Sequence, residues 1–438
     1  MINTIQSDFN FVITDFQKVK EKMLNWVQRF DTFCFLDNHQ YQIDPHSIEC
    51  LLAVGVKRQL KASAGNALDQ LQHFIDSKPR GTSNSESNGW LFGHLGYDLK
   101  NEIEKLSSDR PGGIDFPDLF FFEPEIVIRL NENEMIIEAD HPEIIFQEID
   151  EQRSKLLSLS GKIEIENRLS KENYISIIEQ LKQHILRGDC YEINFCQEFF
   201  AKNAGIDPIA VYNKLSEVSP NPFSALYKVD DQWLLCASPE RFLKKKGNEI
   251  LSQPIKGTSK RNVKDAKNDK RNKDALFNSA KERSENVMVV DLVRNDLAKV
   301  CEEGTVKVDE LYGIYTFPQL HQMISTVSGK LKKNILFSDI IKASFPMGSM
   351  TGAPKKRVME LIEKYESTRR GIFSGAVGYI SPEGDFDFNV VIRSIMYNAA
   401  SGYLSFQAGS AITFHSDPEK EWEECLLKAE AIKKVLDS

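Results

Sequence analysis

The sequence predicts a mixed α/β (α+β) protein with large antiparallel sheets covered by helices. Strand-like runs such as PFSALYKV, QWLLCAS and GAVGYIS are joined by many connections of hairpin length, which favour antiparallel pairing over a parallel array. Segments with helical periodicity alternate with these runs. We predict the helices near residues 273–298, 336–344, 353–366 and 418–436.

Two parts of the chain differ in how regular their predicted secondary structure is. Residues 1–160 mix strand-like runs (TFCFLD, EIVIRL, EMIIEA) with polar connectors. The segment KENYISIIEQLKQHILRG then predicts a helix that opens a longer and more regular part. We place a boundary near residue 165 and expect the regions 1–160 and 165–436 to be intertwined in one globule.

Composition excludes several functional classes. With 438 residues, 41% hydrophobic content and a net charge of -9, the chain is not expected to bind nucleic acid or an anionic membrane as a whole. Basic residues over 256–283 are interleaved with acidic ones and form no clean phosphate track. A signal sequence and an apolar run near 18 residues are lacking, so we expect a cytoplasmic protein. Seven cysteines without a C-x-x-C pair suggest neither disulfides nor zinc.

Paired glutamates on two predicted helices are the first candidate site. Glu282 and Glu285 project from a stripe that otherwise holds Ala275, Val289, Leu292 and Val293. Carboxylates on an apolar face are costly unless a cation is present. On the last helix, Glu421, Glu424 and Lys428 stack at i, i+3 and i+7. Together the two pairs resemble a four-carboxylate Mg²⁺ site; the alternative is that both are solvated helix surfaces.

Glycine-rich segments and one arginine indicate anion binding. Gly409-Ser410-Ala411 follows a predicted strand and forms a candidate backbone nest, although such turns are usually only turns. FPMGSMTGAPKKRVMELI places glycines ahead of a helix N-terminus. Arg393 lies inside the apolar run NVVIRSIMY, which we interpret as one strand. A buried guanidinium there requires an anionic partner.

An acid and an amine are separated by a predicted hairpin. Glu240 follows a strand in CASPERFLKKK, and Lys256 follows in LSQPIKGTSKR, directly before a predicted Gly257-Thr258 turn. The hairpin at GNEI would bring both side chains to one end of a sheet. The alternative is an exposed surface pair.

Taken together, these strings resemble the chorismate-utilising enzymes, a family that includes anthranilate synthase, aminodeoxychorismate synthase, isochorismate synthase and salicylate synthase. SPERFL, PIKGT, ENVMVVDLVRNDLAKV, FPMGSMTGAPKKRVMELI, RRGIFSGAVGYIS, NVVIRSI and SDPEKEWEECLLKA occur in the family's order. The resemblance implies a four-layer α/β/β/α sandwich that binds chorismate and Mg²⁺ in a deep cleft. Residues 165–436 would form the catalytic region, and GWLFGHLGYDL and PDLFFFEPEIVI resemble the family's N-terminal region.

The resemblance also implies roles for individual residues. Glu285 and Glu424 would bind the metal directly, and Glu282 and Glu421 through water. Glu240 would be the general acid that protonates the departing C4 hydroxyl. The remaining positions would bind substrate: Arg393 and the backbone of Gly409, Ser410 and Ala411 the enolpyruvyl carboxylate, and Lys428, Gly257 and Thr258 the ring.

Lys256 distinguishes members of the family. PIKGT resembles the aminodeoxychorismate synthases, whose lysine attacks C2 before ammonia enters at C4 on the way to para-aminobenzoate and folate, whereas anthranilate synthases read PIAGT. Anthranilate formation remains the alternative. Attack requires a neutral amine, so the lysine pKa must fall from about 10.4 to about 7, which we expect burial and nearby Mg²⁺ to cause.

Three positions depart from the family pattern. Glu192 stands where many relatives have glutamine and salicylate synthases have lysine, which argues against a water-adding reaction. Gln322 replaces the usual histidine and Phe373 a frequent tyrosine, so those roles are not carried over. No cysteine lies in a G-x-C-x-G elbow, so we expect a separate glutamine amidotransferase to supply ammonia.

Overall fold

The computed structural model describes residues 9–41, 48–77, 89–153, 163–317 and 320–437 of the chain. Two large sheets, of twelve and ten strands, dominate it. Strand pairing within the described residues is antiparallel throughout. The predicted class, mixed α/β with large antiparallel sheets, is therefore confirmed.

The strands are β1 Phe9–Val12, β2 Thr32–Asp37, β3 Cys50–Val54, β4 Arg58–Ala62, β5 Leu91–Leu95, β6 Leu119–Glu123, β7 Ile126–Leu130, β8 Glu134–Glu138, β9 Glu166–Asn167, β10 Glu192–Ala201, β11 Phe223–Val229, β12 Gln232–Ser238, β13 Arg241–Lys246, β14 Glu249–Gln253, β15 Ile255–Lys260, β16 Lys307–Thr316, β17 Leu320–Lys330, β18 Gly352–Ala353, β19 Ala376–Ile380, β20 Phe386–Asn389, β21 Ser394–Asn398 and β22 Tyr403–Ile412. The α-helices are α1 Phe16–Val27, α2 Ala67–Asp76, α3 Lys100–Glu104, α4 Pro142–Asp150, α5 Lys171–Leu186, α6 Pro208–Val218, α7 Ala266–Asn278, α8 Ala280–Val300, α9 Phe337–Ser344, α10 Lys355–Tyr365 and α11 Pro418–Leu436.

Both sheets combine strands from the two parts of the chain. The first sheet has the order β1-β8-β7-β3-β2-β11-β12-β21-β22-β10-β18, with β9 on β10. The second has the order β15-β17-β14-β13-β20-β19-β5-β6-β4, with β16 on β17. The junctions are β2 with β11 and β19 with β5. The predicted boundary near residue 165 adjoins residues 154–162, which lie outside the described residues.

Helices complete a four-layer arrangement around two apolar cores. One core lies between the first sheet and helices that include α1, α5, α6 and α11. The other contains the inner faces of both sheets together with α8 and α9. Each sheet thus buries both faces, one on the other sheet and one on helices, which explains why central strands such as β3 are apolar throughout.

Two sequence predictions about element bounds are wrong. The helix expected over 273–298 is two helices, because Ser279 ends α7 and caps α8 by accepting a hydrogen bond from the Glu282 backbone N–H. Ala275 therefore lies on a different helix from Glu285. The strand expected through NVVIRSIMY is interrupted between β20 and β21, where Arg393 has a left-handed φ of 51°.

The other sequence expectations concern membranes and cysteines. Among the described helices, none combines the length and apolar character that crossing a bilayer requires. All seven cysteines are free thiols and are buried. They pack as small apolar side chains, as the absence of a disulfide pattern indicated.

A buried arginine fixes the start of β10. The Arg370 guanidinium donates to both carboxylate oxygens of Glu366, at 2.9 and 2.6 Å. It also donates to the carbonyls of Met350 at 2.6 Å and Asn194 at 2.9 Å. Because Asn194 lies in β10 and Met350 precedes β18, one charged group holds these backbone segments together.

We predict that Arg370→Met lowers the free energy of unfolding by about 3–5 kcal/mol, because the Glu366 carboxylate would stay buried without its partner. Urea denaturation followed by circular dichroism measures the change. The matched control is Arg294→Met, which removes an exposed ion pair with Asp291 and should cost less than about 1 kcal/mol. Equal losses in both variants would contradict this account of Arg370.

Candidate active site

Lys256 lies at a β-bulge, and the predicted Gly257-Thr258 turn is wrong. Strand β15 pairs with β17 through Ile255↔Ile324 and then Thr258↔Gln322, so the register shifts between these pairs. A bulge bends a strand and redirects its side chains. Gly257 has a φ of 89°, a left-handed conformation that glycine adopts without strain. The Lys256 side chain points inward and is 9% exposed, while Thr258 is exposed.

The Lys256 ammonium forms a buried ion pair with Glu192. Lys256 Nζ donates to Glu192 Oε1 at 2.7 Å, and the Glu192 side chain is only 2% exposed. Glu192 is the first residue of β10, where it pairs with Ala353 of β18. Gly352 permits this close approach, because a Cβ there would lie 2.1 Å from the Glu192 carbonyl oxygen. The ion pair therefore connects β15 in the second sheet with β10 in the first.

Burial and the protein's own charges together do not lower the pKa of Lys256, and the fall that we expect with Mg²⁺ bound stays a prediction. Burial pulls the Lys256 pKa down, but the negative charges of Glu192, Glu285 and Glu240 outweigh burial. The pKa of Lys256 is consequently raised above its ordinary value. The reason is a carboxylate in direct contact, which sequence spacing does not reveal.

Glu240 is a buried carboxyl group between β12 and β13, and the predicted hairpin at GNEI joins the next two strands, β13 and β14. Burial raises its pKa to about 7, although the positive charges of Lys256 and Arg393 act in the opposite direction. Glu240 is 4% exposed, so the alternative of an exposed surface pair with Lys256 does not apply. A carboxyl group with this pKa holds a proton through much of the neutral range.

Arg393 occupies the bend before β21 and is only partly buried. Burial lowers its pKa to about 10, and the nearby Glu240 partly offsets this effect. The anionic partner that sequence reasoning required is therefore, in part, Glu240. Arg393 would still be able to attract a second anion, since burial favours the protonated, neutral form of Glu240.

The four predicted glutamates lie on α8 and α11 and share one neighbour, Lys281. Glu285 is buried, and burial raises its pKa to about 7. Burial also raises the pKa of Glu282. Lys281 Nζ lies 3.8 Å from Glu285 Oε1. Burial would lower the Lys281 pKa, but it is raised by four carboxylates, namely Glu285, Glu421, Glu424 and Glu282.

The α11 glutamates have polar partners on β22 and within their own helix. The Ser410 hydroxyl donates to Glu421. Lys428 Nζ contacts Glu424 at 2.8 Å and donates to the Gly409 carbonyl at 2.8 Å. Burial would raise the pKa of Glu424, but Lys428 lowers it below its usual range.

Residues 409–411 do not form the expected nest, because they belong to β22. Gly409 pairs with Cys196 and Ala411 with Asn194 of β10. The neighbouring strand β21 pairs with β22 only through residues 403–405. Gly409 is required at this position because a Cβ would lie 1.9 Å from the Phe195 carbonyl oxygen.

The donor set is suited to a hard divalent cation. Carboxylate oxygens are the side-chain ligands that Mg²⁺ prefers, and Glu285 Oε1 is buried without a hydrogen-bond partner among the described residues. Across the part of the chain that the structure describes, no three His, Cys, Asp or Glu side chains are gathered as a metal site. Lys281 lies among the carboxylates instead. Metal binding by these four residues remains a prediction.

Sequence reasoning assigned no role to Glu192 and did not consider Lys281. Glu192 lies 64 residues from Lys256, and no local pattern relates the two. Lys281 could have been found from the sequence, since it precedes Glu285 by one helical turn and the two side chains therefore share a helix face.

Two positions that depart from the family pattern, Gln322 and Phe373, are both buried. Gln322 lies opposite Thr258 in the pairing of β17 with β15.

Comparison with known proteins identifies the family. A family model described as chorismate binding enzyme matches residues 32–434. This chain belongs to the chorismate-binding enzymes. It is 35% identical over 357 residues to an anthranilate synthase component I-like protein of Synechocystis sp., covering 80% of this chain and 73% of that one. It is 33% identical over 380 residues to aminodeoxychorismate synthase component 1 of Escherichia coli, covering 84% and 82%.

A solved structure shows the same fold. Anthranilate synthase component I from Streptococcus pneumoniae TIGR4 superposes with a TM-score of 0.77, covering 90% of this chain and 94% of that one at 24% identity. The four-layer sandwich of this chorismate-binding enzyme is therefore the family fold.

We predict that Gly257→Ala destabilises the enzyme more than Gly247→Ala does. Both glycines have left-handed backbones, with φ of 89° and 61°, so each alanine costs about 1–2 kcal/mol. Only the new methyl group at position 257 meets neighbours, at 2.9 Å from Glu282 Oε2 and 3.1 Å from Leu276 Cδ1. Thermal unfolding should show about 1 kcal/mol more loss at position 257. Equal losses would mean that the bulge has room for a side chain.

Proposed function

We propose that this chorismate-binding enzyme is an aminodeoxychorismate synthase component I. It converts chorismate and ammonia into 4-amino-4-deoxychorismate, the precursor of para-aminobenzoate in folate synthesis. The observation that carries the proposal is the buried amine of Lys256. Its neighbour Glu240 is an acid whose raised pKa lets it hold a proton near neutral pH. A nucleophile and a proton donor for the leaving group are the two components that this reaction needs.

The reaction would proceed by two substitutions. The neutral Lys256 amine attacks C2 of chorismate, the ring double bond shifts, and the C4–O bond breaks. Glu240 donates its proton to the departing hydroxyl, which leaves as water. Ammonia then attacks C4, the double bond shifts back, and the bond between C2 and the lysine nitrogen breaks. The C4 ammonium returns one proton to Glu240.

Other residues bind and orient the substrate. Arg393 and the backbone of β22 at 409–411 would receive the enolpyruvyl carboxylate, and Lys428 would support the ring together with Gly257 and Thr258. Glu285 and Glu424 would hold Mg²⁺ directly, with Glu282 and Glu421 holding its water ligands. The bound ion would offset the negative charge of the ring carboxylate.

Ammonia would come from a separate glutamine amidotransferase in the cytoplasm. This part of the proposal rests on the absence of a G-x-C-x-G elbow around the seven cysteines. Free ammonium should replace the partner in a purified assay.

Anthranilate synthesis is the second candidate function. Relatives at about the same identity carry both names, including anthranilate synthase component 1 of Saccharolobus solfataricus at 32% over 358 residues. Product analysis separates the two functions, because anthranilate is released with pyruvate and aminodeoxychorismate is not.

We predict that the purified protein with chorismate, Mg²⁺ and ammonium forms 4-amino-4-deoxychorismate, identified by mass and by conversion with a lyase. Lys256→Ala should abolish this product, because the variant lacks the nucleophile. Lys434→Ala, which alters an ion pair with Glu430 on α11, is the control and should retain activity. Anthranilate as the product would contradict the function; aminodeoxychorismate from Lys256→Ala would contradict the covalent step.

We predict that activity falls as pH rises above about 7, because Glu240 must be protonated and its pKa is about 7. At a fixed concentration of free NH₃, kcat/KM should drop tenfold per pH unit on this limb. Glu240→Gln should lose about 10²–10⁴-fold in rate and should lack the limb. A falling limb that persists unchanged in the variant would assign it to another group.

A further inference from the structure

Two features of the site have no role in the proposed reaction so far. Lys256 must be neutral to attack carbon, yet the surrounding carboxylates hold its pKa above the ordinary value. Glu192 is a buried carboxylate that contacts the nucleophile and is not one of the predicted catalytic or metal-binding residues. Both features involve the same contact.

Glu192 is the acceptor in direct contact with the amine. The distance from Lys256 Nζ to Glu192 Oε1 is 2.7 Å, a charge-assisted hydrogen bond. Within the described part of the chain, no other carboxylate lies within 4.0 Å of Lys256 Nζ. Farther carboxyl groups face the pair from the β12–β13 connection, from α8 and from α11; these are Glu240, Glu282, Glu285 and Glu424. Arg393 in turn faces Glu240.

The second oxygen of Glu192 also indicates a role toward substrate. Glu192 Oε2 is buried and has no hydrogen-bond partner among the described residues. A buried acceptor without a partner costs about 1–3 kcal/mol. A purely structural ion pair would be expected to satisfy both oxygens, so the free oxygen is suited to a donor that arrives with the reactants.

We propose that Glu192 is the positioning residue and proton acceptor for Lys256, taking its proton before the attack on chorismate and returning it when the lysine leaves. This inference rests on the proposed function, because it assigns a proton path to the covalent step.

The protons balance over the cycle. The ion pair of ammonium and carboxylate becomes a neutral pair of amine and carboxylic acid. The amine then forms the C2–N bond with its lone pair and becomes a secondary ammonium, while Glu240 protonates the departing hydroxyl. When ammonia attacks C4, the C2–N bond breaks and the electron pair returns to the lysine nitrogen. Glu192 gives back its proton and restores the ion pair.

The pH dependence distinguishes this role from a structural one. Proton transfer inside the pair leaves the total number of bound protons unchanged, so in wild type this transfer between Lys256 and Glu192 does not depend on pH. In Glu192→Gln the proton must leave to solvent, and the reactive fraction grows tenfold per pH unit until the pKa of Lys256 in the variant is reached. The ratio of variant to wild-type activity removes the contributions of Glu240 and of free ammonia.

The test measures ammonium-dependent aminodeoxychorismate formation from pH 6 to 9 for wild type, Glu192→Gln and Glu192→Asp. We expect the activity of Glu192→Gln relative to wild type to be lowest at the acidic end of this range. Its activity ratio to wild type should rise about tenfold per pH unit. Glu192→Asp, which keeps the acid, should show a ratio that does not change with pH. A flat ratio for Glu192→Gln would overturn the inference.

The matched control is Glu198→Gln on the same strand. Glu198 is also buried, but it pairs with Arg168 at 2.6 Å and is distant in register from Lys256. Its ratio to wild type should be flat and near one, and thermal unfolding should confirm that every variant is folded. If wild type forms no aminodeoxychorismate, the proposed function fails. If wild type is active and Glu192→Gln gives a flat ratio, only the role of Glu192 fails.

Discussion

The ion pair between Lys256 and Glu192 is the constraint on which the geometry of the site depends. Its partners belong to different sheets, so their 2.7 Å contact fixes where β15 meets β10. Removing two charges from water costs several kcal/mol per ion, and only a closely held geometry offsets that cost. The bulge at Gly257 and the close backbone approach at Gly352 provide such geometry on the two sides. Arg370 then ties the start of β10 to the segment before β18.

Around this pair, similar carboxyl groups acquire different protonation states from their surroundings. Burial brings the pKa of Glu240 and of Glu285 to about 7. Glu424 faces Lys428, and its pKa falls below the usual range. Environments that separate the pKa values of neighbouring acids allow one to donate a proton while another remains an anion. In the proposed reaction Glu240 takes the first role, and Glu424 on α11 takes the second.

The sequence predicted what is local and missed what depends on distant parts of the chain. Amphipathic periodicity placed α9, α10 and α11 within about two residues. The division at Ser279 had a local signal as well, because Ser279 followed three residues later by Glu282 is a capping box. By contrast, the left-handed backbone of Arg393 and the contact between Lys256 and Glu192 are set by sheet packing. Lys256 and Glu192 are 64 residues apart, and no rule of sequence spacing predicts a contact over that separation.

Charge balance connects the pair to the predicted metal and substrate. The site brings together six carboxyl groups and four cationic groups, which give a formal charge of −2 when all are ionised. Two of the acids, Glu240 and Glu285, have a pKa of about 7. The groups are Glu192, Glu240, Glu282, Glu285, Glu421 and Glu424 with Lys256, Lys281, Lys428 and Arg393. Chorismate would add two further negative charges, so a divalent cation that enters with it would be strongly favoured. Releasing the Lys256 proton to solvent would make the site more negative still. Transfer from Lys256 to Glu192 produces the neutral amine without changing the total charge, which is why a carboxylate in direct contact is the favourable acceptor in this site.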